Sequence, residues 1–263
     1  MDPTEKQLLS RTPHLALPPF DVPPYLDATG KVMRADDQGN EPACAGYAAA
    51  GLVEVDNWAL TGQANAADAR GIYGQAKLDD EYGNQPGTTL DNALKAAIKV
   101  GAFIREVSTV DVKVLLNKQE VIWALLQYDV CLLGFETSES WQYADSKTGY
   151  LHKKRGKSLG GHAVLGAWFD VEGGIGFVNS WGVGWGHNGM GRMTHEQFER
   201  DFLYGAVLAW DKAKPQYVAE FIPQDNQYEA EAVKKGRMRM AETQKIRDER
   251  HKMRARLKDK KKR

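Results

Sequence analysis

The stretch Asn179-Ser180-Trp181-Gly182-Val183-Gly184-Trp185-Gly186-His187-Asn188-Gly189 carries more information than any other in the 263-residue chain. A glycine- and tryptophan-rich turn that only packs needs neither the asparagine nor the serine that open it. Upstream lies Gly160-Gly161-His162-Ala163-Val164, a histidine at the head of a strand-like run. Further back, Asp37-Gln38-Gly39-Asn40-Glu41-Pro42-Ala43-Cys44-Ala45-Gly46-Tyr47 places a cysteine where an alanine-rich helical pattern begins. The three segments together supply a cysteine, a histidine, an asparagine and a glutamine, the set that acyl transfer to a thiol requires.

A thiol attacks a carbonyl efficiently only as thiolate, so a nucleophilic cysteine needs something that favours its anion. The amides and dipole of a helix N-terminus do so at Cys44, and a nearby imidazolium from His162 would add to the effect. Taken alone, each residue has a plain alternative. A single cysteine in an alanine-rich helix usually packs as a small apolar side chain. Gln38 alone reads as a solvated loop residue, and His162 as a histidine satisfied at a strand edge.

Taken together, the segments resemble the papain-like cysteine proteases. Asn179 to Gly189 is similar to that family's Asn-Ser-Trp-Gly-x-x-Trp-Gly-x-x-Gly signature at every specified position. Gly160 to Val164 looks like its Gly-His-Ala-Val strand, and Gln38-Gly39 ahead of Cys44 resembles its glutamine-to-cysteine segment. The resemblance implies Cys44 as nucleophile, His162 as base and acid, and Asn179 as the group orienting the imidazole. It implies Gln38 as an oxyanion donor beside the Cys44 amide, and Trp181 as a cover for the His162–Asn179 bond. Less directly, it implies that Gly87 approaches the substrate backbone and that Ala163 borders a specificity pocket. Tyr73 to Lys77 and Gly87 to Leu94 fall where the family has its cleft-lining loop. The expected activity is thiol-dependent endopeptidase, with no cofactor and no metal. Transfer of the acyl group to another acceptor stays open. A reading of another class also stays open: a papain-fold assembly or binding module, for example in a phage or bacterial particle, docked through a basic tail.

The expected fold is α+β and two-lobed, with a helical N-terminal half, an antiparallel, barrel-like β half, and a cleft between them. Residues 1–16 read as an extension and 17–215 as the catalytic domain, helical over about 38–128 and β over about 129–215. Leu17-Pro18-Pro19-Phe20-Asp21 resembles the start of mature family members, with too few residues before it for a family-like pro-segment. Helices are predicted from Cys44 for about four turns, from Thr88 or Thr89 through Ile98, and near Val110–Gln127. Beyond the apolar run Val130–Phe135, strands are predicted at His162–Phe169, Gly174–Asn179 and Gly191–Met193. Two features depart from the family: Ala45 follows the cysteine where tryptophan is usual, and the first disulfide cysteine is missing.

Formal charge is zero overall but unevenly placed. Residues 225–263 hold 15 Lys/Arg against 7 Asp/Glu, while residues 1–224 hold 20 against 28. The 216–263 tail reads as helical or disordered, and its charge suits nucleic acid or an acidic protein surface as well as simple solvation. No apolar run reaches the ~20 residues of a membrane span. Two cysteines and no signal-like N-terminus point to a reducing, cytoplasmic setting, with association to a virion as an alternative. Cys131, inside an apolar run, is expected in the core.

Overall fold

Apolar residues alternate with period two along the strands, and the two sets feed two different cores. The computed structural model describes residues 13, 15, 22–32, 35–63, 65–80 and 84–209. The expectations for Leu17–Asp21, for most of the 1–16 extension and for the 216–263 tail lie outside the described residues. Among the described residues seven strands form one antiparallel sheet: β1 (Tyr25–Asp27), β2 (Val112–Leu115), β3 (Cys131–Ser138), β4 (Ser158–Asp170), β5 (Gly174–Val178), β6 (Met190–Met193) and β7 (Phe202–Leu208). Their order is β2-β7-β3-β4-β5-β6. β1 pairs with the far end of β4, Tyr25 opposite Asp170, beyond the last β3 partner.

The sheet is open, which corrects the barrel-like expectation. Closure is a way of removing exposed edges, and here both edges are covered by loops instead. At β2, Val114 N–H donates to Pro13 O (3.0 Å) and Leu15 N–H to Val114 O (3.1 Å). At β6, Arg192 exchanges backbone hydrogen bonds with Gly149 and Leu151 (2.8 Å each).

Five helices accompany the sheet among the described residues: α1 (Cys44–Thr61), α2 (Ala69–Asp79), α3 (Leu90–Lys99), α4 (Lys118–Tyr128) and α5 (His195–Asp201). Side-chain oxygens of Asp68, Thr89, Asn117 and Thr194 cap α2 to α5 in turn. α1 starts at Ala43 with no side-chain cap and ends on Gly62, whose φ of 67° suits a left-handed C-cap. Leu132, Ala163, Leu165, Ala206 and Leu208 meet α1, α2 and α3 on one sheet face. Leu133, Phe135, Val164, Phe177 and Val207 meet α4 and α5 on the other. β3 is therefore buried on both faces, which is why it reads as an unbroken apolar run. Cys131 lies in the second core, fully buried, as expected.

Small residues let α1 lie close to its neighbours. A Cβ at Gly51 would stand 2.9 Å from Leu165 Cδ2, and one at Gly46 would stand 2.7 Å from both Ala69 O and Tyr73 Cβ. Two segments differ from expectation. Val110–Gln127 is not one helix: a 3-10 turn (Thr109–Asp111) and β2 occupy its first part, and Asn117 restarts the helix. β-branched Val112 and Val114 suit the pleated position opposite β7. Tyr73 to Lys77 lies within α2 rather than in a loop, with Ala69, Ile72 and Ala76 forming its buried stripe.

Candidate active site

Cys44 is the first residue of α1 and is partly exposed. Backbone N–H groups of Ala163, Ala45 and Cys44 itself favour its thiolate, but burial outweighs them and pushes the thiol above its ordinary range. The alanine at position 43 leaves the first amides of α1 without a side-chain acceptor, so they face the sulfur and not a cap.

His162 stands on β4, immediately before Ala163, and is 9% exposed. Asn179, 1% exposed, follows the end of β5, the strand paired with β4. His162 Nε2 and Asn179 Oδ1 are 2.7 Å apart. The amide's orientation is set independently, because Ser180 N–H donates to the same Oδ1 at 2.8 Å. A backbone N–H can only donate, so that atom must be the oxygen. Nε2 must then carry a proton, which leaves the lone pair of the neutral ring on Nδ1. The tautomer follows from one backbone amide.

Two indoles enclose the imidazole. Trp181 lies over it with ring centroids 4.7 Å apart, and Trp141 meets it edge-on at 5.9 Å. Trp185 packs against both and donates Nε1–H to Trp141 O at 2.8 Å. Burial in this apolar box lowers the His162 pKa to about 4, against a smaller raising effect from Asn179. Trp141 escaped sequence reasoning. It stands alone in the stretch between β3 and β4, and only its complete burial against His162 reveals its part.

Gln38 reaches the same place through a short antiparallel bridge. Gln38 N–H donates to Ser180 O (2.8 Å), Gly182 N–H donates to Asp36 O (2.8 Å), and Asp37 sits opposite Trp181. The Ser180 hydroxyl donates to Gln38 Oε1 at 2.6 Å, and Gln38 Nε2 donates to Glu41 O at 2.7 Å. One N–H of the amide is thus engaged and the second is left for another acceptor. Ser180 is a further residue missed at the sequence level: it stands in the motif, but nothing in sequence separation links it to Gln38.

The two weaker candidates fare differently. Ala163 is buried beside Cys44, its N–H directed to the thiol. Gly87 adopts φ 84°, with its N–H donating to Tyr73 Oη (3.3 Å) and its carbonyl accepting from Lys77 Nζ (2.9 Å), so α2 holds this loop. His195 and His187 are used structurally, donating to backbone carbonyls of Asp170 and Ser146. Among the described residues no group of three His, Cys, Asp or Glu is arranged to hold a metal ion, and no helix is long and apolar enough to cross a membrane.

An open antiparallel sheet with helices packed on both faces matches solved protease structures. Xylellain, a cysteine protease from Xylella fastidiosa, superposes with a TM-score of 0.59 over 76% of this chain and 92% of that one. The chain has the papain-like fold. The same fold relates it to digestive procathepsin L 3 of the Tenebrio molitor larval midgut (TM-score 0.56, covering 78% and 79%) and to procathepsin B S9 from Trypanosoma congolense (0.58, covering 77% and 84%). Sequence identities are 17%, 16% and 13%, so the likeness is one of papain-like fold. No protein-family model and no curated protein matches the sequence.

Proposed function

We propose that the chain is a thiol-dependent endopeptidase acting through a Cys44 acyl-enzyme. The observation that carries this reading is the fixed His162 tautomer: with Nε2–H held by Asn179, Nδ1 is a lone-pair acceptor for the Cys44 proton. In the first step Nδ1 takes that proton as Sγ bonds to the scissile carbonyl carbon, whose π pair moves to oxygen. The resulting oxyanion accepts from Cys44 N–H and from the second N–H of Gln38 Nε2, preorganised donors worth about 3–4 kcal/mol each in other enzymes. Collapse breaks the C–N bond, and His162 returns the proton to the departing amine. Water, deprotonated by the same imidazole, then releases the acid and the thiol.

Burial acts against charge on both partners, raising the thiol and lowering the imidazole. The resting pair is therefore neutral, and the imidazolium forms only as Nδ1 takes the proton while Sγ bonds to the carbonyl carbon. Trp181 and Trp141 keep solvent from the His162–Asn179 bond, which strengthens it in a low-dielectric setting.

Intact-mass analysis after incubation with an epoxysuccinyl probe tests the reading. Wild type is expected to take one label at Cys44, Cys44→Ala none, and His162→Ala one at a much lower rate. An unlabelled wild type whose Cys44 still reacts with iodoacetamide would refute the peptidase reading and favour a non-catalytic binding module.

A further inference from the structure

Every described lysine outside the segment between a 3-10 turn (Glu139–Tyr143) and β4 has a fixed partner. Five are ion-paired with an aspartate or glutamate, and Lys113 donates to the Val110 carbonyl. Inside that segment Lys147 has Asp145 beside it. Lys153, Lys154 and Lys157 differ: all three are exposed, and among the described residues none is ion-paired through its ammonium group.

The backbone that carries them is nevertheless held. Gln197 Nε2 donates to His152 O at 3.2 Å, and the amides of Glu139 and Ser140 donate to Lys157 O and Arg155 O at 3.0 Å each. Arg155 turns inward, with Nη2 2.8 Å from Glu136 Oε2 and Nε 3.1 Å from Oδ1 of the buried Asp201. The nearby carboxylates are thereby engaged: Glu136 and Asp201 by Arg155, and Glu139 by the Lys157 N–H, which its Oε2 accepts at 3.1 Å. Gly156, at φ 72°, permits this approach, because a Cβ there would stand 2.5 Å from Glu139 Oε2. The lysines thus project to solvent from a fixed frame, so a ligand orders little backbone on binding.

That frame borders the candidate active site. Ser140 precedes Trp141, the indole that meets His162 edge-on. Lys157 stands five residues before His162 on the chain that enters β4. At about 3.3 Å per residue this is at most roughly 17 Å, the span of about five residues of extended peptide. Between them Gly160 and Gly161 leave the path clear, since a Cβ on either would meet nothing within 4 Å. Charge selects what lies there. Residues 1–224 hold 20 Lys/Arg against 28 Asp/Glu, so a long polyanion would run onto an acidic body, whereas a short acidic stretch meets the lysines alone.

We propose that Lys153, Lys154 and Lys157 form an exosite for a run of aspartates or glutamates in a polypeptide substrate, about three to seven residues from the cleaved bond. The proposal rests on the peptidase reading and names its substrate class: proteins cut near an acidic stretch. The lysines speed encounter and fix register, and take no part in the chemistry.

The test uses epoxysuccinyl probes with a neutral spacer of about five residues on either arm, ending in triglutamate, triglutamine or trilysine. At low salt wild type is expected to label about fivefold faster with triglutamate than with triglutamine on one arm, a ratio that half-molar salt brings within about twofold. Lys153→Ser/Lys154→Ser/Lys157→Ser should lose the ratio and keep the triglutamine rate, while the triple Lys→Glu variant should favour trilysine. A ratio near one in wild type, or one unmoved in the triple serine variant, would overturn the proposal. To separate it from the peptidase reading, full-length Cys44→Ala is acetylated with an N-hydroxysuccinimide ester, and each lysine is read by peptide mass spectrometry. Hexaglutamate is expected to slow acetylation of Lys153, Lys154 and Lys157 about threefold relative to hexaglutamine, and to leave Lys113 unchanged. Such protection upholds the exosite even if Cys44 is never labelled, and Cys44 labelling without it refutes the exosite alone. Stronger protection of these lysines by single-stranded DNA of about 20 nucleotides would overturn the proposal in favour of a nucleic-acid surface.

Discussion

Acidification from pH 7 to pH 5 should destabilise the folded chain by about 2 kcal/mol through His162 alone. The imidazole lies in the Trp141–Trp181 box with its pKa lowered to about 4 from the ordinary 6.5. Between those values the unfolded chain binds a proton that the folded chain refuses. Stability from this group is therefore full above pH 6.5 and is lost as pH falls, reaching about 3 kcal/mol by pH 4. Urea unfolding at pH 7 and pH 5 measures it, compared with His162→Gln so that carboxylates common to both proteins cancel. For a domain of this size the same difference appears as a roughly 4–8 °C larger drop in Tm for wild type. Cys44→Ala is the informative control. A neutral resting pair predicts the same acid slope with and without the thiol. A resting thiolate–imidazolium pair predicts that wild type shows no His162 slope and that Cys44→Ala acquires one. Coincident slopes for wild type and His162→Gln, with Cys44→Ala steeper, would refute the neutral pair. Coincident slopes in all three would refute the buried-imidazole argument itself.

Ser180→Ala removes the hydroxyl that donates to Gln38 Oε1 at 2.6 Å. Losing one partner of a buried acceptor costs about 1–3 kcal/mol, and a loosened oxyanion donor should lower kcat roughly tenfold with KM little changed. Unchanged kcat would show that Ser180 does not position Gln38. Gly46→Ala drives a methyl group to 2.7 Å from both Ala69 O and Tyr73 Cβ. Overpacking of this kind costs about 1–3 kcal/mol, so the urea midpoint should fall while epoxysuccinyl labelling of the folded fraction persists. An unshifted midpoint would mean that α2 yields at no cost.

What the sequence disclosed followed from how local its signals are. The starts of α1 and α3 were legible because an alanine-rich run and the Thr89 cap act within one turn. β4 to β6 were legible because apolar runs are broken by glycines, and Gly174 needs the freedom of its φ of 109° beside Met193 O, whereas β3 read only as an apolar run, since burial on both faces erases the alternation. The His162–Asn179 contact was anticipated only through family likeness, since nothing in sixteen intervening residues fixes a distance. β1 was missed because Tyr25–Asp27 is three residues long and becomes a strand only by pairing with β4. β2 was absorbed into a helix because four residues cannot display a period. Trp141 and Ser180 meet His162 and Gln38 across long stretches of sequence, in surroundings that only folding creates.

Of the five described helices, α1 is the longest and the one whose start is locally frustrated. A serine or aspartate at position 43 would relieve that frustration by about 1 kcal/mol. Its oxygen would then be an internal competitive ligand, held permanently against amides that the proposed chemistry reserves for a transient anion. On the peptidase reading, the fold therefore carries a small standing instability at one helix end, discharged only while an anion is held there. Cap-optimising redesign, which treats every bare helix start as a defect, would on that reading harden this protein at the position where hardening silences it.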